Sequence, residues 1–102
     1  MKLEYSKEAI NDLSEIRDYI SGVLKNRTAA KRIVSMILSG CRALKQDPLS
    51  GFRLDSKIDA ETDLRVLVCE NWLAFYNVSP DAIVIVRVLD GRSDYINILF
   101  RT

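Results

Sequence analysis

The sequence predicts an α+β fold of order β-α-α-β-β-β, a helical hairpin packed on one face of a small, mainly antiparallel sheet. Three observations carry this prediction. Three apolar runs of strand length follow one another between Leu64 and Leu89, separated by two breaks of tight-turn composition. Two stretches of helical periodicity, joined by the short break Asn26-Arg27-Thr28, precede them. A four-residue alternation, Lys2-Leu3-Glu4-Tyr5, opens the chain as a short strand. At 102 residues, 48% hydrophobic and 28% charged, the chain reads as a single domain spanning 1–102. A domain of that size buries roughly two-thirds of its unfolded surface, so disorder is not expected.

The elements follow in order. Ser6 is placed to cap the first helix by accepting a free backbone N–H, and Glu8 suits the positive end of that helix. Ile10, Leu13, Ile16 or Arg17, Ile20, Val23 and Leu24 recur at helical spacing to about Lys25, with Gly22 expected to fray the last turn. Thr28 is the expected cap of the second helix, whose apolar stripe is Ala30, Ile33, Val34, Ile37, Cys41 and Leu44. That helix must end before Pro48, whose ring disfavours a helical Asp47. The short break between the helices implies an antiparallel hairpin, and Gly40 marks a place for close backbone approach. Residues 47–53 have turn chemistry, and 54–63 read as a polar, acidic surface connection. Glu70-Asn71 and Ser79-Pro80-Asp81-Ala82 then join the three strand runs into a meander. Asp94 to Phe100 reads as either a short terminal helix or a strand extension.

Net charge is only +1, but it is unevenly distributed. Residues 1–20 carry net −2, residues 21–57 net +6 and residues 58–102 net −3, so the middle of the chain is a basic band. The chain has no histidine, which excludes the usual zinc ligand sets and His-dependent nucleophiles. No metal and no cofactor is expected, and acid–base chemistry would need Tyr, Lys, Arg, Asp or Glu. Cys41 and Cys69 lie in apolar patterns and read as reduced core thiols of a cytoplasmic protein. No apolar run approaches 18 residues and no signal peptide is evident, so no membrane association is expected.

Strand alternation places Arg65, Leu67 and Cys69 on one face and Val66 and Val68 on the other. In the last run Ile83, Ile85, Arg87 and Leu89 oppose Val84, Val86 and Val88. The valine face is expected to be the core, and the face with Arg65 and Arg87 the open side. There an arginine near Trp72 or Tyr76 would bind a phosphate or carboxylate in a fork, or pair structurally with Glu70, Asp90 or Asp94.

The turn Pro48-Leu49-Ser50-Gly51, the run Trp72-Leu73-Ala74-Phe75-Tyr76-Asn77-Val78 and the ending Val86-Arg87-Val88-Leu89-Asp90-Gly91-Arg92-Ser93-Asp94-Tyr95 carry a resemblance. In that order and at this length the chain resembles the RelE/ParE superfamily, toxins of bacterial type II toxin–antitoxin modules. The resemblance covers essentially the whole chain and implies two alternative activities. RelE-like members cleave mRNA on the ribosome, using clustered cations that stabilise the charge of the transition state. For that activity the resemblance assigns Arg65, Arg92 and Tyr95 as catalytic, with Arg87 or Arg53 supplying further charge. ParE-like members poison DNA gyrase without nuclease chemistry. Two positions that are basic in the nuclease branch are Leu67 and Leu73 here, and the Arg-Val-Leu-x-Gly-x-x-Asp ending points to the ParE side.

The leading expectation is therefore a ParE-like toxin of a plasmid-stabilisation module that poisons gyrase. An mRNA endonuclease is the alternative, and an inactive antitoxin-binding domain or an unrelated α+β domain remain further ones. The toxin readings imply a cognate antitoxin as partner, with gyrase or the ribosome and its mRNA as target. Candidate binding residues are Arg87, Arg53, Trp72, Ile96, Leu99 and Phe100. The apolar end Ile96-Asn97-Ile98-Leu99-Phe100 offers either a surface for a partner segment or packing back onto the helices. The basic second helix and Arg92 are expected to meet acidic antitoxin residues.

Overall fold

A computed structural model describes residues 1–101. The elements are β1 (Lys2–Tyr5), α1 (Lys7–Asp18), α2 (Arg27–Ala43), β2 (Phe52–Arg53), β3 (Arg65–Cys69), β4 (Trp72–Val78), β5 (Ala82–Asp90) and α3 (Tyr95–Phe100). They form one five-stranded sheet of order β1-β5-β4-β3-β2, with α1 and α2 packed on it. β1 pairs parallel to β5, and every other pair is antiparallel. The fold is the expected one, with a two-residue edge strand added inside the stretch that reads as turn. The terminal segment is a short helix.

Local chemistry explains the element boundaries. Ser6 accepts the Ala9 N–H at 3.0 Å and starts α1, as its position suggests. At the other end the helix widens into a π-helical turn, Tyr19–Val23, which closes with the Leu24 N–H on the Tyr19 carbonyl. Lys25 then takes φ 53, a left-handed conformation that reverses the chain. The cap of α2 is Asn26, whose side chain accepts the Ala29 N–H at 2.9 Å, so Thr28 lies inside the helix rather than capping it. Asn and Thr both suit a cap, and the tight reversal at Lys25 selects the earlier residue. The buried residues of α1 are Ala9, Asp12 and Ile16, followed by Ile20, while Ile10, Val23 and Leu24 are exposed. The inward stripe is thus rotated by about one residue from the apolar one.

The sheet is covered on both faces. Beneath the hairpin, Ile37, Cys41 and Leu44 of α2 join Cys69, Ala74, Tyr76, Ile83, Ile85 and Val88 in the main core. Across the sheet, Val66, Phe75 and Leu89 form a second cluster with Leu54, against which Ile58, Leu64, Tyr95 and Leu99 pack. The 54–64 connection and α3 therefore cover the face away from the hairpin, and the C-terminal residues pack there rather than on the helices. In β3 the expected faces are exchanged: Leu67 and Cys69 lie under the hairpin, and Val66 lies in the second cluster. Tyr95 lies against Phe75 with ring centroids 5.4 Å apart.

The expected assignment of faces in β5 is corrected for a definite reason. The register slips between Phe75 and Tyr76, pairing Phe75 with Arg87 and Tyr76 with Ile85, so Val86 is an extra bulged residue. A one-residue insertion swaps the faces of everything beyond it. Ile83 and Ile85 therefore join Val88 under the helices, and no continuous valine face exists.

Candidate functional site

Three basic residues singled out from the sequence are each committed to a local contact. Arg65 donates from Nε and Nη2 to the Gly51 carbonyl and from Nη2 to the Leu49 carbonyl. Tyr76 completes this clamp, its hydroxyl donating to the Pro48 carbonyl at 2.8 Å and accepting the Gly51 N–H at 3.0 Å. A Cβ at position 51 would lie 2.5 Å from the Val66 carbonyl oxygen and 2.6 Å from that hydroxyl, so only glycine fits. Arg87 makes a two-point pair with the nearly buried Asp12, at 2.8 and 2.9 Å. Asp12 also accepts the Val88 N–H at 2.9 Å. β1 pairs with β5 only as far as Ile85, so α1 covers the remaining edge and Asp12 occupies the place of a strand carbonyl. Arg92 is highly exposed and folds onto Asp90, which holds that carboxyl below the usual carboxylate range.

These positions do not converge. Arg65 is four residues along β3 and two strands across from Asp90, a backbone separation of about 16 Å at standard strand spacings. Its guanidinium faces the 49–51 loop beside β2, away from β5. Tyr95 packs on the second cluster, and Leu67 and Leu73 pack on opposite faces of the sheet as apolar filling. Arg53 is paired with Asp55 on the β2 edge. Ile96, Leu99 and Phe100 lie along α3, with Phe100 exposed and Leu99 turned into the second cluster.

Two open surfaces stand out instead, each in two parts. The groove between α1 and α2 has a cationic half of about 530 Å³ lined by Arg17, Arg27 and Lys31. It continues into an apolar half of about 240 Å³ lined by Tyr5, Ile10, Leu13, Val34 and Leu38. On the other side of the hairpin, two adjoining hollows of about 330 and 290 Å³ meet at Tyr19, Trp72, Asp90 and Arg92. The π-helical turn divides these surfaces, with Ser21 lining the cationic groove and Tyr19 the aromatic one. Among the described residues no cluster of potential metal ligands occurs. Among the described residues no helix is long and apolar enough to cross a membrane.

The family model described as the ParE toxin of the type II toxin–antitoxin system parDE matches residues 3–95. The chain belongs to the ParE toxin family. A solved structure titled "Chromosomal ParDE TA system from P. aeruginosa" is similar to this toxin at 26% identity and a TM-score of 0.74. The likeness covers 88% of this chain and 95% of that one. No curated protein matches the chain. The match places the chain on the ParE side of the superfamily and ends at Tyr95, so Ile96, Leu99 and Phe100 lie beyond it.

Several residues that organise this ParE-family toxin carry no distinguishing mark in the sequence. Asp12 reads as a polar position on an exposed helix face, and only its pairing with Arg87 makes burial tolerable. Tyr19 falls outside the apolar stripe and becomes a groove wall through the π-helical turn. Arg27 and Lys31 were visible as part of the basic band, and their convergence with Arg17 appears only when the helices pair.

Proposed function

We propose that this toxin arrests growth by binding and poisoning DNA gyrase, and that a cognate antitoxin neutralises it by seating an acidic, amphipathic segment in the α1–α2 groove. The observation that carries the first part is the dispersal of Arg65, Arg92 and Tyr95. A nuclease that stabilises a phosphoryl transition state needs its cations at one point, and here two are engaged in local contacts about 16 Å apart. A poison that acts by binding needs no such cluster. Membership of the ParE family supports the same reading.

The antitoxin part is supported by the groove itself. Arg27 and Lys31 form no ion pair among the described residues, and their cationic half adjoins exposed Ile10. That combination suits a helix or extended segment with acidic and apolar residues in turn. The similar ParDE structure supports a partner of antitoxin type.

The test uses purified toxin in two parallel reactions, gyrase with supercoiled DNA and programmed ribosomes with mRNA. Trapped gyrase–DNA breaks with intact message are expected. Cleaved message with untouched gyrase would return the activity to Arg65, Arg92 and Tyr95, and inactivity in both with growth arrest absent would leave an antitoxin-binding domain.

A further inference from the structure

The hollow between α1 and the β3–β4 turn is built differently from the antitoxin groove and fits a different partner. Its walls are two aromatic side chains, half-exposed Tyr19 and partly buried Trp72. Its charges largely cancel in place, Asp12 against Arg87 and Asp90 against Arg92. The exception is Glu15, an exposed carboxylate with no ion-pair partner among the described residues, at the rim of the larger part. The smaller part has an apolar floor of Ile20, Leu24, Ala29 and Ile33, with the Asn26 and Asn71 amides at its edge. Tyr19 stands between the two parts because the backbone there is π-helical, a distortion that commonly re-aims side chains at functional sites.

Such a cleft accepts a cationic side chain beside Glu15 and the aromatic faces, and an apolar side chain one step further along. It repels a phosphate backbone and an acidic segment, because its one uncancelled charge is negative. We propose that the Tyr19–Trp72 cleft is the surface that grips the toxin's target, by a polypeptide segment carrying a Lys or Arg next to an apolar residue. The inference rests on the reading of the chain as a toxin that acts by binding. It separates target and antitoxin onto the two sides of the π-helical turn, by sign of charge.

The test compares wild-type toxin with Tyr19→Ser, Glu15→Lys and Glu15→Gln, and with Glu61→Lys as a charge-matched control on the distant acidic connection. Three readouts are taken: growth arrest on induction, gyrase inhibition by purified toxin, and thermal unfolding as a check of the fold. Both Tyr19→Ser and Glu15→Lys are expected to lose growth arrest at least tenfold in potency, with Glu15→Gln intermediate, Glu61→Lys unchanged and all unfolding near the wild-type temperature. Retained potency in Tyr19→Ser and Glu15→Lys would overturn the proposal, and so would a gain in Glu15→Lys, which would mean an anionic occupant such as nucleic acid. Should wild type spare purified gyrase while the variants still lose growth arrest, the cleft assignment stands and the gyrase reading falls.

Discussion

Removing the Asp12 carboxylate tests how the toxin closes the free edge of β5. The side chain of Asp12 is only 7% exposed and that of Arg87 25% exposed. Three hydrogen bonds end on this one carboxylate, two from Arg87 and one from the Val88 N–H. Asp12→Ala strands a partly buried guanidinium and a buried backbone donor together. Losing one partner of a buried pair costs about 3–5 kcal/mol, and the quarter exposure of Arg87 brings the expected value to about 3–4 kcal/mol. Against a total stability on the order of 5–15 kcal/mol, that lowers the unfolding temperature by about 20 °C. Urea and thermal unfolding followed by Trp72, the only tryptophan, measure it directly. Asp12→Asn with Arg87→Met removes both charges and keeps an acceptor for Val88, so it should return to within about 1.5 kcal/mol of wild type. Asp18→Ala breaks an ion pair whose side chains are 59% and 68% exposed and should change stability by less than about 0.5 kcal/mol. An Asp12→Ala protein within about 1 kcal/mol of wild type would refute the view that this carboxylate substitutes for a strand.

Further expectations follow from the same geometry. Tyr76→Phe keeps the ring and removes a hydroxyl that bonds both Pro48 and Gly51, so it should cost about 1–3 kcal/mol, read from urea midpoints, and speed proteolysis within 47–53. Gly51→Ala should cost more, because its Cβ meets backbone at 2.5 Å; an equal or smaller loss in the same unfolding experiment would argue against the clamp. Burial, with Cys69 nearby, pushes the Cys41 thiol up to about 11 from an ordinary value near 9, so the folded state holds a proton that the unfolded chain releases first. Stability from this group is complete below about pH 9 and falls by about 2–3 kcal/mol as pH rises to about 11, and Cys41→Ala should flatten that part of the stability–pH curve. Charge reversal at Arg27 and Lys31 should weaken capture of a ParD-type antitoxin at least tenfold and reduce its salt dependence, measured by calorimetry at two ionic strengths; an unchanged salt slope would remove the acidic segment from this groove.

The order of elements, both helices, the three long strands and the cap at Ser6 follow from local periodicity and turn chemistry, which act over a few residues and so can be read along the chain. At Gly40, expected to mark a close approach of backbones, the neighbours are side chains instead, and an added Cβ would sit 3.1 Å from the Cys69 sulfur. The resemblance to the RelE/ParE superfamily lies in motifs strung along the chain in a fixed order, and the match over residues 3–95 shows the ParE family. Which faces are covered was decided only in three dimensions. The bulge at Val86 exchanges the two sides of β5, and nothing in the run Ile83-Val84-Ile85-Val86, which holds no Gly or Pro, marks where an extra residue is accommodated. Arg65, Arg87 and Arg92 look alike in sequence, as cations beside strands. The tertiary structure gives the first to two loop carbonyls, the second to a buried aspartate 75 residues away and the third to its own turn. Charge acts through space, so the partner of each arginine, and the division of the surface into a cationic groove and an aromatic cleft, depend on which elements the fold brings side by side.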